Sequence, residues 1–209
     1  MHALVDWYLG FKQWYLGQLS TGGYPLIVLL MVMESSVVPI PSEVVVPQTA
    51  YLAHLEGRLS PVGIWLAATL GSLIGATIMY WGARWAGRPL VLRFGRFVLV
   101  SPSKLESAEA WCARFGPAGV FIARLVPVIR HLIGIPTGIL RMNFWRYAAY
   151  TVAGSAVWCA VLTGVGVYVG NNPQEVHKVG AVVIVAALFL GGMYFVLARR
   201  SKVGVDPAV

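Results

Sequence analysis

Apolar residues in this chain run together in long blocks, with neither the alternation of a half-buried strand nor the one-sided stripe of a surface helix. Residues 64–82, 144–169 and 179–197 are apolar on every face over about the 20 residues that a helix needs to cross a hydrocarbon core roughly 30 Å thick. Each predicts a transmembrane helix. Residues 24–52 and 116–140 are equally apolar but interrupted. The first contains MESSVVPIPSE, residues 33–43, which sets Glu34 and Glu43 beside Pro39 and Pro41. Its two arms, about ten residues each, reach only about 15 Å as helix, half the bilayer. Two prolines between them remove backbone donors and push the preceding residues out of the helical region, so a continuous helix is not expected. A re-entrant hairpin satisfies both constraints.

The second interrupted stretch, GPAGVFIARLVPVIRHLIGIPTGIL, repeats the design with opposite charge: Arg124 and Arg130 flank Pro127, and Pro136 with Gly138 relaxes the exit. In an unbroken helix six residues turn the chain by about 600°, which would put the two arginines on different faces. A bend at Pro127 is expected to bring both toward one cavity. Ahead of each hairpin lies a segment mixing apolar and polar residues, Trp, Tyr and Leu with Lys and Gln in 6–19 and Leu, Phe and Trp with Arg and Glu in 87–115, a composition suited to a helix lying in the headgroup layer. The order interfacial helix, broken hairpin, full span therefore occurs twice. GSLIGATIMYWGARWAG (71–87) and GSAVWCAVLTGVGVYVG (154–170) also begin and end alike, and we read an internal repeat.

Composition makes the membrane assignment firm: of 209 residues, 58% are hydrophobic and 11% charged, with a mean hydropathy of +0.72. The first residues lack a basic start, an apolar run and a small-residue cleavage site, so no removable signal peptide is expected. The net charge of +8 does not point to nucleic acid, because the basic residues flank the spans. Residues 84–114 carry six Lys/Arg, Arg141 and Arg146 add two, and the tail adds Arg199, Arg200 and Lys202. The positive-inside rule places 84–114 and the C-terminus in the cytoplasm and loop 54–60 outside. The first hairpin then enters from outside and the second from the cytoplasm, an inverted repeat of the kind transporters use. Cys112 and Cys159 are isolated and read as packing residues.

The expected architecture is a single all-α integral membrane domain. It comprises two inverted repeats of interfacial helix, re-entrant helical hairpin and transmembrane helix, about 1–86 and 87–170, and a C-terminal transmembrane helix at about 174–199. A charge at the bilayer centre costs on the order of 2.5–3.5 kcal/mol on the lenient insertion scale. Glu34, Glu43, Arg124 and Arg130 are therefore expected to face one another or water. Ion pairs that only lock the hairpins together are the plain alternative to a working site.

The residues that interrupt the hairpins resemble a known family. E-x4-P-x-P-x-E (Glu34, Pro39, Pro41, Glu43), F-x2-R-x2-P-x2-R (Phe121, Arg124, Pro127, Arg130) and G-x3-M (Gly138, Met142) resemble the motifs of the DedA family, the bacterial branch of the VTT-domain proteins. The resemblance covers nearly the whole chain. It implies two opposed re-entrant hairpins in a multi-pass protein of the bacterial inner membrane. It also implies lipid translocation, in particular the return of undecaprenyl phosphate to the cytoplasmic leaflet; other members are associated with phosphatidylethanolamine movement, and eukaryotic relatives resemble scramblases. By motif position the family's essential acids fall on Glu34 and Glu43 and its essential arginines on Arg124 and Arg130. In some members the second acid is an Asp a few residues further along, which separates Glu43 from Glu34.

The chemistry agrees with that expectation. A phosphate is gripped by the planar fork of a guanidinium, which stays charged at any physiological pH, so Arg124 and Arg130 are the natural headgroup anchors. Carboxylates nearby would pair with them when the site is empty. Glu34, Glu43 and His131 are candidates for proton coupling, although a lone His beside an Arg is more often a packing residue. Tyr80 and Asn143 read as boundary packing and helix capping. The expected partners are the bilayer and a lipid with a phosphate headgroup, without nucleic acid, metal or cofactor, and a homo-oligomer stays open. A lipid phosphatase is disfavoured: no P-S-G-H is present, the spacing of Arg124 and His131 is one residue off, and no Asp-rich metal cluster occurs. A phosphatidylethanolamine or general phospholipid flippase and a proton-coupled transporter of a small ion remain as alternatives.

Overall fold

The computed structural model of the chain describes residues 22–36, 42–56, 59–94, 102–126, 129–172 and 174. The interfacial segment 6–19, the breaks at Pro39, Pro41 and Pro127, and the span 179–197 lie outside the described residues. Regular structure among the described residues is entirely helical: α1 (Gly22–Glu34), α2 (Ser42–Glu56), α3 (Pro61–Phe94), α4 (Pro102–Arg124), α5 (Ile129–Leu132), α6 (Gly134–Ile139) and α7 (Phe144–Asn171).

Two of these helices are long and apolar enough to cross a membrane, α3 over Pro61–Pro89 and α7 over Phe144–Asn171. Along α3 the residues Val62, Leu66, Leu70, Ile74 and Ile78 recur every fourth position and are all exposed. This unbroken apolar ridge suits lipid rather than water. The end of the ridge is marked by the rings of Trp85, Trp81 and Phe144 in contact one after another. Trp85 and Trp145 stand exposed there among Arg84, Arg88, Arg141 and Arg146, the aromatic and basic signature of a membrane boundary.

Glycine sets the two sharp bends. At Gly87 (φ 69°, ψ 172°) α3 leaves its axis, and at Gly116 (φ 53°, ψ −139°) α4 does the same, both conformations that a Cβ would oppose. The part of α4 before Gly116 is amphipathic, with Leu105, Trp111 and Cys112 buried and Glu106 and Arg114 exposed. Trp111 folds it back on the part that follows, donating its indole N–H to the Gly119 carbonyl at 3.1 Å. Arg88 reaches Glu106 at 3.1 Å and Glu109 at 3.5 Å, an exposed cluster that contributes little energy.

Each interrupted stretch sends one arm to each long helix, and every one of these contacts contains a glycine. A Cβ added at Gly71 or Gly75 of α3 would lie 2.6 Å or 2.5 Å from the carbonyl oxygens of Val28 and Val32 on α1. On α7, Gly154 meets the side chain of Arg124 in α4, and Gly166 meets the backbone of Pro47 in α2. Gly138 of α6 meets the Tyr80 carbonyl of α3. Close backbone approach at small residues is how helices associate where no hydrophobic effect separates them from lipid. The long helices run antiparallel: Trp65 donates to the Ala156 carbonyl at 2.8 Å, while Tyr147 donates to that of Ala76 at 3.0 Å. Position advances along α3 as it recedes along α7.

Pro136 and Gly138 play separate parts. Without an N–H, Pro136 cannot bond the Leu132 carbonyl four residues back, and α5 ends at Leu132. Pro136 itself fits the first turn of α6, where that donor is not needed. Gly138, expected to loosen the hairpin exit, instead lies inside α6, and its lack of a side chain lets α6 touch α3.

Candidate functional site

Glu34 is the last residue of α1, an unfavourable place for a carboxylate because the helix dipole is negative there. It is also 2% exposed. A cation must compensate it, and Arg130 of α5, 4% exposed, pairs with its Oε1. Ser35 donates to the other carboxylate oxygen at 2.9 Å, and Arg130 donates as well to the hydroxyl of Ser42, the first residue of α2. The guanidinium lies 5.4 Å from the ring centroid of Trp158 on α7. One ion pair thus joins α1, α2, α5 and α7. Its depth is central: Ser35 packs against Gly75, the middle residue of the apolar stretch Pro61–Pro89, and Trp158 lies at the middle of α7.

Arg124, at the end of α4, is placed differently. It is 3% exposed, its stem rests on Gly154, and one terminal nitrogen donates to the Tyr147 hydroxyl at 3.1 Å. Tyr147 is held by its own bond to the Ala76 carbonyl and by stacking on Tyr80, with centroids 4.8 Å apart. Tyr80 donates to the Met142 carbonyl and accepts from Arg84 at 2.8 Å. Nε of Arg124 has no hydrogen-bond partner. Among the described residues no carboxylate lies within ion-pair range of Arg124.

The four charges read from the sequence are therefore not one cluster of two ion pairs. Glu34 and Arg130 meet. Glu43, half-buried in the first turn of α2 where the helix dipole favours an acid, forms no ion pair among the described residues, and its Oε1 has no partner. His131 Nδ1 stands 3.9 Å from Glu34 Oε1, too far for a hydrogen bond, and its ring is within Coulombic reach of both arginines. Asn143 caps α7 by accepting from the Arg146 N–H at 3.2 Å. Among the described residues no group of His, Cys, Asp or Glu is arranged to hold a metal.

Sequence reading passed over Ser42, Tyr147 and Trp158, the partners of the two arginines. A signal for two of them existed. Tyr147, Thr151, Ser155 and Trp158 recur along one face of α7, and all four are buried, so a polar stripe runs through an apolar span.

Comparison with known proteins identifies the family. The pattern of the VTT domain matches residues 40–168, which include Glu43, Arg124 and Arg130 but not Glu34. The chain is 29% identical over 189 residues to undecaprenyl phosphate transporter A of Bacillus subtilis, covering 88% of this chain and 93% of that one. It is 31% identical over 144 residues to the Staphylococcus aureus protein of the same name, covering 67% and 70%. A Lactococcus lactis relative, 29% identical over 85% of this chain and 88% of its own, is named alkaline phosphatase-like protein. No solved structure matches the chain.

Proposed function

Since the chain belongs to the VTT-domain family of membrane proteins, we propose that it moves a lipid with a phosphate headgroup between leaflets, with undecaprenyl phosphate as the substrate. The observation that carries the proposal is the Glu34–Arg130 pair, buried at mid-depth where two broken apolar stretches meet. Intramembrane charge is costly and marks substrate pathways. A phosphate oxygen and the Glu34 carboxylate compete for the same guanidinium N–H groups, so an arriving headgroup displaces the acid from Arg130 and a returning acid releases the headgroup. Glu43 and His131 flank this exchange, and protonation of a displaced carboxylate couples it to a pH gradient.

The architecture proposed for this cycle is the inverted repeat, with one hairpin open to each side. It is supported by the antiparallel α3 and α7 and by the exchange of hairpin arms between them. In this arrangement the protein sits in the bacterial inner membrane with Arg84–Arg114 and the C-terminus cytoplasmic, and it carries the lipid back to the cytoplasmic leaflet.

The test is reconstitution of the purified full chain in liposomes holding fluorescent undecaprenyl phosphate or phosphatidylethanolamine, with and without a pH gradient. Leaflet exchange of undecaprenyl phosphate is expected to exceed that of protein-free liposomes and to respond to the gradient. Exchange of phosphatidylethanolamine alone would move the assignment to a phospholipid flippase, and no lipid exchange would overturn it. The name of the Lactococcus relative makes phosphate release worth measuring in the same vesicles. Release without exchange would favour a phosphatase.

A further inference from the structure

Arg124 and Arg130 are both buried, yet among the described residues only Arg130 has a counter-ion. Arg130 is occupied by Glu34 and Ser42. Arg124 donates to the Tyr147 hydroxyl, and Tyr147 and Thr151 are both fully buried on α7. Tyr147 accepts one guanidinium N–H and has spent its own proton on the Ala76 carbonyl. Thr151, one turn further along α7, sits close enough to interact with Tyr147, but its Oγ1 makes no well-formed hydrogen bond. The Arg124 Nε–H is likewise unpartnered.

Buried donors without acceptors are rare, and a buried cation without a counter-charge is costly. Two unmet donors, the Thr151 hydroxyl and the Arg124 Nε–H, both belong to neighbours of Tyr147, and among the described residues the cation has no counter-charge. An anion with several acceptor oxygens satisfies all three deficits. The polar end of this place is offset from the mid-depth pair: Thr151 and Tyr147 precede Trp158 by about 10 and 16 Å of helix at roughly 1.5 Å per residue, toward the basic, Trp-rich end of α7, while the Arg124 stem at Gly154 lies about one turn from Trp158.

Building on the transport reading, we infer that Arg124, Tyr147 and Thr151 form a separate phosphate-binding station, occupied after the headgroup has passed the Glu34–Arg130 pair. Arg124 and Thr151 donate to the phosphate oxygens, and Tyr147 holds the guanidinium fork in position. The two arginines then divide the work. Arg124 sets how tightly the headgroup is held at equilibrium, while Arg130, which must first be freed from Glu34, sets how fast it passes.

The experiment measures binding of two probes, a short-chain polyprenyl phosphate and inorganic phosphate, to the purified full chain, with liposome flux on the same preparations. Arg124→Lys and Thr151→Val are expected to weaken binding of both probes by about tenfold, whereas Thr151→Ser stays within about threefold of the parent, and Arg130→Lys weakens binding less than Arg124→Lys does but loses flux. Valine keeps the shape of threonine without the hydroxyl, and serine keeps the hydroxyl without the methyl, so weakening by Thr151→Val but not by Thr151→Ser reads the hydroxyl rather than the packing. Equal weakening by Arg124→Lys and Arg130→Lys, or unchanged binding in Thr151→Val, would overturn the separate station while leaving lipid transport intact. Binding that follows the expected pattern in a protein that moves no lipid would uphold the station and overturn the transport reading. A parent protein that binds neither probe refutes the station.

Discussion

At the scale of single residues, the balance at Glu34 decides what the empty site costs. Removing one partner of a buried ion pair destabilises a protein by about 3–5 kcal/mol, because the other charge is left alone in a medium that cannot solvate it. Glu34→Gln keeps the shape and the acceptor oxygen but removes the counter-charge of Arg130. The variant is expected to unfold at a lower temperature than the parent in detergent. A short-chain polyprenyl phosphate should raise its midpoint by more than it raises the parent's, since the ligand supplies the missing negative charge. Flux should fall, because no carboxylate returns to expel the headgroup. Equal ligand-induced shifts in the two proteins would mean that phosphate never replaces Glu34 at Arg130. Sequence made Glu34 and Arg130 visible, since charge stands out in an apolar run. It hid Ser42, Tyr147 and Trp158, since a hydroxyl or an aromatic ring in a span is ordinary until its neighbours are known.

At the scale of elements, the long helices and their ends were legible because length, apolarity and the Gly-Pro signals at Gly87 and Gly116 are local properties. The exchange of hairpin arms was not, since it depends on which glycine faces which backbone. That dependence gives a test. A side chain at Gly75 or Gly154 meets α1 or α4 directly, whereas one at Gly164 meets nothing within 4 Å. Gly75→Val and Gly154→Val are expected to destabilise the protein by about 1–3 kcal/mol through overpacking. Gly164→Ala should be neutral or slightly stabilising, as alanine favours helix by up to about 1 kcal/mol. Gly154→Val should also lower flux more than Gly75→Val does, because it pushes on the stem of Arg124. Thermal unfolding and liposome flux on the three variants check the order, and a Gly164→Ala loss as large as the valine losses would contradict the packing described.

At the scale of the whole molecule, orientation rests on an argument that packing cannot supply, namely the asymmetry of Lys and Arg around the spans. The antiparallel α3 and α7 restrict the choice, because the loop before α3 and the segment after its bend must emerge on opposite sides if α3 spans the bilayer. Single cysteines at Gly57, Ser103 and Asn172 read the arrangement with a membrane-impermeant thiol reagent. The native thiols should interfere little. Cys112 and Cys159 are both buried, and burial, helped by Glu109, pushes the Cys112 thiol up to about 12, so almost no reactive thiolate exists at neutral pH. Gly57→Cys and Asn172→Cys are expected to label from outside intact cells, and Ser103→Cys only after the membrane is opened. Labelling of Gly57→Cys and Ser103→Cys from the same side would mean that α3 does not cross, and the inverted repeat would fall with it. Labelling of all three on opposite sides from those expected would keep the repeat and reverse only its orientation, making the basic, Trp-rich end of α7, where the Arg124 station lies, the outer end.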